Sequence, residues 1–495
     1  MSTLDNDVAA SDVDVIVVGS GMAGMSAALE AASDGAKVLL VEGETILGGA
    51  SRLSTGIMMA AGTSLQRANG LDDHPDELFQ DYMLANHWDV TPSVVRRLVD
   101  ELPDTFEWIR DLGVTFQNQL ISAGEERAPR GHSVPGQGQE IIDVLTRHIR
   151  KQPNIDIALS QRVDRLVVEG GRVRGIAVGD EVVRADAVVL AMGGFAGNPE
   201  LHEQYLPLAA ADEKSWYIGG AFPRSGDIFN LVEPVDAYIE GVDRGGWVLI
   251  ADFNRDPQAY LPGWLVIVNS SGRRFMDEMT PYSVVDPIVR AQGNRVYAIF
   301  DHAAKRAANP ESTEAATKVN LPGVPRSHWL EPVIDEAIAE GKVKVAETLS
   351  DLAEQLGVPA SNLVGTIERY NEDAHQKHDS LFLKDGEQMR PVETGPFYAC
   401  ELRLSLIALT ACGPAVDSEA RVLSSNQHPV PGLFAAGECA GGVIGKMYVG
   451  SGNSIANCLT YGRIAGRNAA ALARDTAGTA PSAAVDVGAP TAVTA

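Results

Sequence analysis

Three glycines and one carboxylate make the sharpest chemical pattern in this chain: Gly19-x-Gly21-x-x-Gly24, with Glu42 eighteen positions after the third glycine. Between a strand and a helix, Gly19 permits a tight turn, Gly21 lets backbone approach a pyrophosphate, and Gly24 lets helix press on strand. The first N–H groups of that helix, from Met22 and Ala23 onward, then meet the phosphates with positive dipole potential. Glu42 can accept hydrogen bonds from a ribose, and its charge argues against NADP. Three more glycine loops follow, Gly48-Gly49-Ala50-Ser51, Ala191-Met192-Gly193-Gly194 and Gly437-Glu438-Cys439-Ala440-Gly441-Gly442. Each alone could be a strand-end turn. Four such loops, each at or soon after the carboxyl end of a strand, fit one extended cofactor lying across a sheet edge, and favour FAD over NAD.

Those loops need strands to end on and helices to open. Asp14–Val18 and Lys37–Val41 are short apolar runs suited to strands buried on both faces, and the Ala-rich stretch between them reads as a helix stopping near Gly35. Further strands are expected at Arg162–Val168, Gly175–Val178 and Glu181–Leu190, and one more at Gly432–Ala436, before a final helix over Asn453–Leu472. From about Arg244 to Ala408 the texture changes, with several Trp, Tyr and Pro residues, a strand-like WLVIVNSSGRRF, and amphipathic helical stretches around 330–356 and 360–376. This predicts an α/β fold, a Rossmann-type FAD-binding domain interrupted by an inserted α+β cap. The expected boundaries are 12–243 and 409–474 for the two parts of the first domain and 244–408 for the insert. Residues 475–495 are small and Pro-rich, have nothing to bury, and are expected to be a disordered tail.

With 495 residues, 45% hydrophobic and 21% charged, the chain can bury a large core. Its 40 basic and 66 acidic side chains leave a net charge of −26, which repels phosphodiesters and anionic lipid and so argues against nucleic-acid and membrane partners. No apolar stretch approaches the roughly 20 residues that span a bilayer. The acidic opening lacks the pattern of a secretory signal, so a soluble cytoplasmic protein is expected. Four cysteines (Cys400, Cys412, Cys439, Cys458) without a CxxC spacing offer no disulfide framework, zinc knuckle or haem attachment, and no metal is expected.

The segments VVGSGMAGMSAALEAASDGAKVLLVEGETILGGAS, LAMGGFAGN, GRRFMDEMTPYS, GLFAAGE and GSGNSIANCLTYGRIAG, spread over residues 17–466, resemble those of the fumarate reductase and 3-ketosteroid dehydrogenase-like flavoproteins. The resemblance implies a glutathione-reductase-like domain holding an extended FAD, with substrate between the isoalloxazine and the cap. It implies cofactor contacts from Gly49, Ala50 and Ser51, from Ser54, Gly56 and Ile57 just after, and from Val163, Gly193, Gly437 and Glu438. Ser454 and Ile455, at the start of the terminal helix, complete that set. Members with covalent FAD use a histidine shortly after the second glycine loop; SRLSTGIMMAAG has none, so the FAD is expected to be noncovalent.

Polar positions select the branch. Fumarate and urocanate reductase-like members place an arginine after GxRFxxE to deliver a proton, a second arginine before the terminal helix to clamp a dicarboxylate, and a His-His-Thr segment before GLFAAGE. Here those positions hold Tyr282, Tyr448 and Leu406–Ala411. Enclosing two carboxylates without cations costs several kcal/mol per charge, so a neutral or weakly charged substrate fits better. The tyrosine pair is similar to that of 3-ketosteroid dehydrogenases. That resemblance implies Tyr282 as the base removing an α-proton, Tyr448 and the Gly452 N–H as donors to the ketone oxygen, and the β-hydrogen leaving as hydride to flavin N5. A tyrosine pKa near 10 is high for a base, and no helper is evident in 80–130. Either tyrosine could instead be a half-buried packing residue. Arg127, Arg130 and His132 are expected in a solvated loop, the alternative being contact with cofactor or substrate. Asp277 and Glu278 are expected to order the cap or form salt bridges, and Cys439 to be a small buried thiol.

Three functions follow. The leading one is FAD-dependent α,β-dehydrogenation of a cyclic ketone, a 3-ketosteroid or a smaller cyclohexanone-type ring such as an oxocyclohexanecarboxylate. The second is an enone or enoate reductase supplied with electrons from elsewhere, and the third a non-catalytic flavin-binding scaffold. The electron acceptor and the oligomeric state are not legible in the residues.

Overall fold

In the computed structural model, which describes residues 12–122, 126–207, 226–253, 261–308, 329–450 and 452–479, the strand Val13–Val18 lies at the centre of the largest sheet. It pairs in parallel with Val38–Val41 on one side and Glu181–Leu190 on the other. Val15, Ile16 and Val17 are fully buried, as a strand covered on both faces requires. Ile155–Ala158 extends the sheet beyond Val38–Val41, and the hairpin Arg165–Glu169/Arg172–Val178 joins Glu181–Leu190 antiparallel. Pro429–Ala435 returns from far along the chain to pair in parallel with the same strand, Leu433 opposite Val188. The sheet is thus built from two separated stretches of sequence, the interruption that the strand pattern predicts.

The helix Met22–Ser33 and the terminal helix Asn453–Thr479 cover one region of this sheet and touch backbone to backbone. A Cβ at Gly462 would fall 2.4 Å from the Ala23 carbonyl oxygen, and one at Gly466 2.2 Å from that of Ala27. Glycine inside a helix costs about 1 kcal/mol against alanine, so these two trade propensity for close approach. The terminal helix continues to Thr479, past the start expected for the tail; the residues after it lie outside those described, as does the acidic opening through residue 11.

Chain enters and leaves the insert through paired short strands, Ile239–Glu240 with Gly413–Pro414. Beyond them is an antiparallel sheet whose long strand, Phe397–Thr410, pairs with Gly245–Ala251, Val296–Asp301 and Val343–Ala346, while Val266–Asn269 pairs with Val296–Asp301. The helix Ala360–Gln376 matches its expected span. The stretch 330–356 does not form continuous helix. It divides into Glu331–Ala339 and Leu349–Leu356 around the strand Val343–Ala346, because Gly341, at φ +74°, ends the first helix and Val343 then pairs with Cys400. The hairpin strand expected at 162–168 begins three residues later, at Arg165. Among the described residues no helix is long and apolar enough to cross a membrane, and no group of three or more His, Cys, Asp or Glu side chains could hold a metal.

Candidate flavin and substrate site

Backbone contacts build the nucleotide end. Gly19 has φ +102°, and a Cβ there would lie 2.2 Å from the Ala191 carbonyl oxygen; one at Gly24 would lie 1.8 Å from the Gly19 carbonyl oxygen. At Gly21 the nearest atom to such a Cβ is Ser51 Oγ at 3.3 Å, so the turn stays accessible from one side. Ser51 Oγ accepts the Met22 N–H (3.1 Å), which seats Gly49-Ala50-Ser51 on the helix start. Glu42 is buried at the end of its strand, its carboxylate accepting from Ser20 N (2.9 Å), Ser20 Oγ (2.5 Å) and Glu44 N (2.9 Å). Gln161 N donates to the Glu42 carbonyl (2.9 Å), which brings the buried Val163 to the same edge.

The other two glycine loops close over this edge. Gly193, at φ +74°, has open space where a side chain would be. Gly194 has none: a Cβ would meet Glu438 Oε1 at 1.9 Å. Glu438 Oε1 accepts Thr410 N (2.8 Å) and Thr410 Oγ1 (3.3 Å), and burial pushes its carboxyl up to about 7. Gly437, at φ +81°, lies against Ala23, and its carbonyl accepts Asn457 Nδ2 (3.3 Å). The other end of that side chain, Asn457 Oδ1, is buried with no hydrogen-bond partner. Open backbone at Gly21 and Gly193, a strand-end carboxylate and an orphaned amide oxygen fit an extended dinucleotide laid between these loops. Ser54 and Gly56 also make local packing contacts. Ser54 Oγ donates to Ser51 O (2.7 Å), and a Cβ at Gly56 would fall 2.4 Å from the Gln137 carbonyl carbon.

Distant segments meet at the other end. Tyr448 packs on Leu409, Ala411 and Ile444, and its hydroxyl oxygen accepts the Ser454 N–H (2.8 Å) in the first turn of the terminal helix. Accepting from a helix N-terminus polarises the phenol and strengthens it as a donor. Gly452 precedes that turn at φ +93°; its carbonyl accepts Met59 N (3.2 Å), and a Cβ would meet Ile57 O at 2.3 Å. Tyr448, Gly452, Ser454 and the buried Ile455 and Ile57 therefore share one corner. Tyr282 is the first residue of the cap helix Tyr282–Arg290; its side chain lies outside the described residues.

Arg130 and His132 overturn the solvated-loop expectation. Arg130 is fully buried, bonded through Nε and Nη2 to Asp73 (2.8 Å each) and through Nη1 to Asp81 (2.6 Å). His132 is buried on the strand Gly131–Ser133, its Nε2 2.9 Å from Thr63 Oγ1, and burial pushes its pKa down to about 4. That strand pairs with Ile57–Met59, and the Arg130 carbonyl accepts Ala60 N (3.0 Å). The network thus backs the strand on which Gly452 rests. Arg127 alone stays near the surface, paired with Asp81.

Sequence reading also missed Tyr82. Its buried hydroxyl donates to the Val443 carbonyl (2.7 Å) and accepts from Asn453 Nδ2 (3.1 Å), beside Gly452. Burial raises its pKa further, so it anchors the corner and offers no help to a tyrosine base. In the cap, Arg274 bonds Glu278 (2.9 and 2.8 Å) and Asp379 (3.2 and 2.9 Å), while Lys384 Nζ bonds Glu278 (3.0 Å) and the Leu265 carbonyl (2.9 Å). The Arg274 guanidinium, with hydrogen bonds from backbone N–H groups, holds Asp379 down at about 2. Glu278 forms salt bridges, and Asp277 orders the turn by accepting the Met279 N–H (2.9 Å), the two roles expected of this pair. Cys439 is buried and pushed up to about 11, an unreactive thiol.

The model of a family described as FAD binding domain matches residues 14–455. The chain is 30% identical to a fumarate reductase (cytochrome) of Shewanella frigidimarina, across 92% of this chain and 77% of that one. It is also 30% identical to an NADH:fumarate oxidoreductase of Klebsiella pneumoniae, across 95% of this chain but only 49% of that protein, so it spans about half that relative's length. The solved structure of a 3-ketosteroid-Δ4-(5α)-dehydrogenase from Rhodococcus jostii RHA1, bound to 4-androstene-3,17-dione, is similar with a TM-score of 0.75 and 28% identity, covering 94% of this chain and 99% of that one. The chain belongs to this FAD-binding family, as an FAD-dependent oxidoreductase of the fumarate reductase and 3-ketosteroid dehydrogenase superfamily that acts on carbon–carbon single or double bonds.

Proposed function

We propose that the protein introduces a C=C bond next to the carbonyl of a cyclic ketone. The observation that carries this reading is Tyr448, a phenol in an apolar niche with its oxygen bonded to a helix N-terminus. In this reading the Tyr448 hydroxyl donates to a substrate carbonyl, and the Gly452 N–H supplies the second donor. As charge grows on the carbonyl oxygen, both bonds strengthen, and removal of one such donor typically costs 10²–10³ in rate. Tyr282, entering from the cap, takes the α-proton. FAD, when bound, would supply the two-electron chemistry for removal of the β-hydrogen. In this reading FAD is noncovalent and held by Gly19, Gly21, Glu42, the Gly49–Ser51 turn, Gly193 and the Gly437–Glu438 loop. This reading keeps as its proposal the domain boundaries 12–243 and 409–474 around a cap of 244–408, with an electron acceptor outside the chain.

The reverse reading, reduction of an enone or enoate with Tyr282 as acid, is favoured by the 30% identity to a fumarate reductase across most of both chains. Anaerobic mixing separates them. A cyclohexanone-ring ketone or a 3-ketosteroid bleaches the flavin if the enzyme dehydrogenates; enone-dependent reoxidation of reduced enzyme, with no bleaching by any ketone, establishes the reductase. Tyr282→Phe should slow either half-reaction about 10³-fold with FAD content unchanged, and a normal rate removes Tyr282 from the mechanism.

A further inference from the structure

Where the chain enters the cap, a buried cation remains that the mechanism above does not use. Arg244 has a side chain only 10% exposed, with Nη2 3.4 Å from Asp89 Oδ1 and Nη1 3.8 Å from Glu240 Oε1. The second distance is beyond hydrogen bonding, and Nη1 is buried with no hydrogen-bond partner among the described residues. Leaving a buried, charged donor unsatisfied is costly, so this one nitrogen lacks an acceptor. Its neighbours supply one poorly. Asp89 is half exposed and shared with Lys446 Nζ (3.0 Å). Burial pushes the Glu240 carboxyl up against the opposing pull of Arg244, and its oxygen stays 3.8 Å from Nη1.

Arg244 also flanks the substrate corner from two sides. Its carbonyl accepts the N–H of Ala411, whose methyl lies in the small cluster with Tyr448. Its charge acts on Tyr82, whose hydroxyl bonds Asn453 beside Gly452. Glu240, four residues before it, reaches the flavin-side loop, where a Cβ at Gly442 would lie 2.5 Å from its carboxylate.

We propose that Arg244 binds a carboxylate carried by the substrate, so that the substrate is an alicyclic oxo-acid monoanion, its ketone on Tyr448 and Gly452 and its carboxylate on Arg244. This rests on the ketone reading above and narrows it. One unsatisfied guanidinium matches one carboxylate; a diacid would leave a second charge buried without a partner.

The test measures calorimetric affinity of the FAD-loaded Tyr282→Phe protein, which blocks turnover, for 4-oxocyclohexane-1-carboxylate and for its uncharged carboxamide. The carboxylate should bind at least about tenfold tighter. Arg244→Gln should erase that preference and leave carboxamide affinity within about twofold. Asp89→Asn, an exposed change that removes a competing acid, should tighten carboxylate binding by about two- to fivefold. Equal affinity for the two probes, or a preference that survives Arg244→Gln, overturns the assignment. If Arg244→Gln does not fold, unchanged carboxylate affinity in Asp89→Asn overturns it instead. Redox is read separately on wild-type enzyme. Arg244-dependent carboxylate binding without flavin bleaching would sink the dehydrogenase reading and keep the subsite. Equal bleaching and equal affinity for both probes would keep the reading and remove Arg244.

Discussion

The nucleotide end and the substrate end of this site are made of different materials. At the first, backbone lies on backbone: Gly24 on Gly19, Gly19 on Ala191, Gly49 on Gly21. The missing side chains there are the structure, and one added methyl group collides. At the second, Tyr448, Gly452, Tyr82 and the Arg130 network are brought together from three stretches of chain by side-chain hydrogen bonds. The first end tolerates no added volume at Gly19 or Gly24 but asks little of side-chain chemistry there. The second depends on polar groups being paired, and its failures should be electrostatic.

Three measurements press on that contrast. The largest effect should come from Gly24→Ala, whose methyl would lie 1.8 Å from a backbone oxygen. The purified variant should hold less than about a tenth of the wild-type FAD, because helix and turn must part to admit it; normal FAD content would show that the backbone contact is dispensable. Next is Arg130→Met, which leaves Asp73 buried without its cation and should cost about 3–5 kcal/mol in denaturant unfolding. Arg127→Ala, also a partner of Asp81 but 40% exposed, should cost no more than about 1 kcal/mol. Similar losses for the two would erase the distinction between buried network and surface pair.

The smallest effect is a pH dependence at Glu438, where the two ends meet. Its folded pKa, raised to about 7 from 4.5, means that the folded protein keeps a proton which the unfolded chain releases. Stability from this group is therefore fully present below about pH 4.5, declines as pH rises to about 7, and is flat above. The decline should be on the order of 3 kcal/mol in FAD-free protein. Glu438→Gln should lack it, and a parallel decline in that variant would assign the titration elsewhere.

Legibility in the residues follows the same division. The spacing of Gly19, Gly21, Gly24 and Glu42, the strands that flank it and the late return to the sheet could all be read, because each depends on a few neighbouring residues or on burial of a short apolar run. Arg130 and His132 read as a solvated loop since the side chains that pair with them are remote in sequence; Asp73, Asp81 and Thr63 are supplied by folding. The strand Val343–Ala346 was hidden inside helical periodicity because its partner, Phe397–Thr410, is remote in sequence. Tyr82 carried no local signal at all.

By itself the sequence determined the cofactor class, the interrupted α/β architecture and the absence of arginine at positions 282 and 448, since those depend on residue types at fixed short spacings. Tertiary structure alone decided which polar groups are satisfied: Tyr448 on a helix N-terminus, Arg130 between two aspartates, Arg244 with one nitrogen left over. The physical reason is that a hydrogen bond or ion pair is a property of two groups at a distance, and only the folded chain sets that distance.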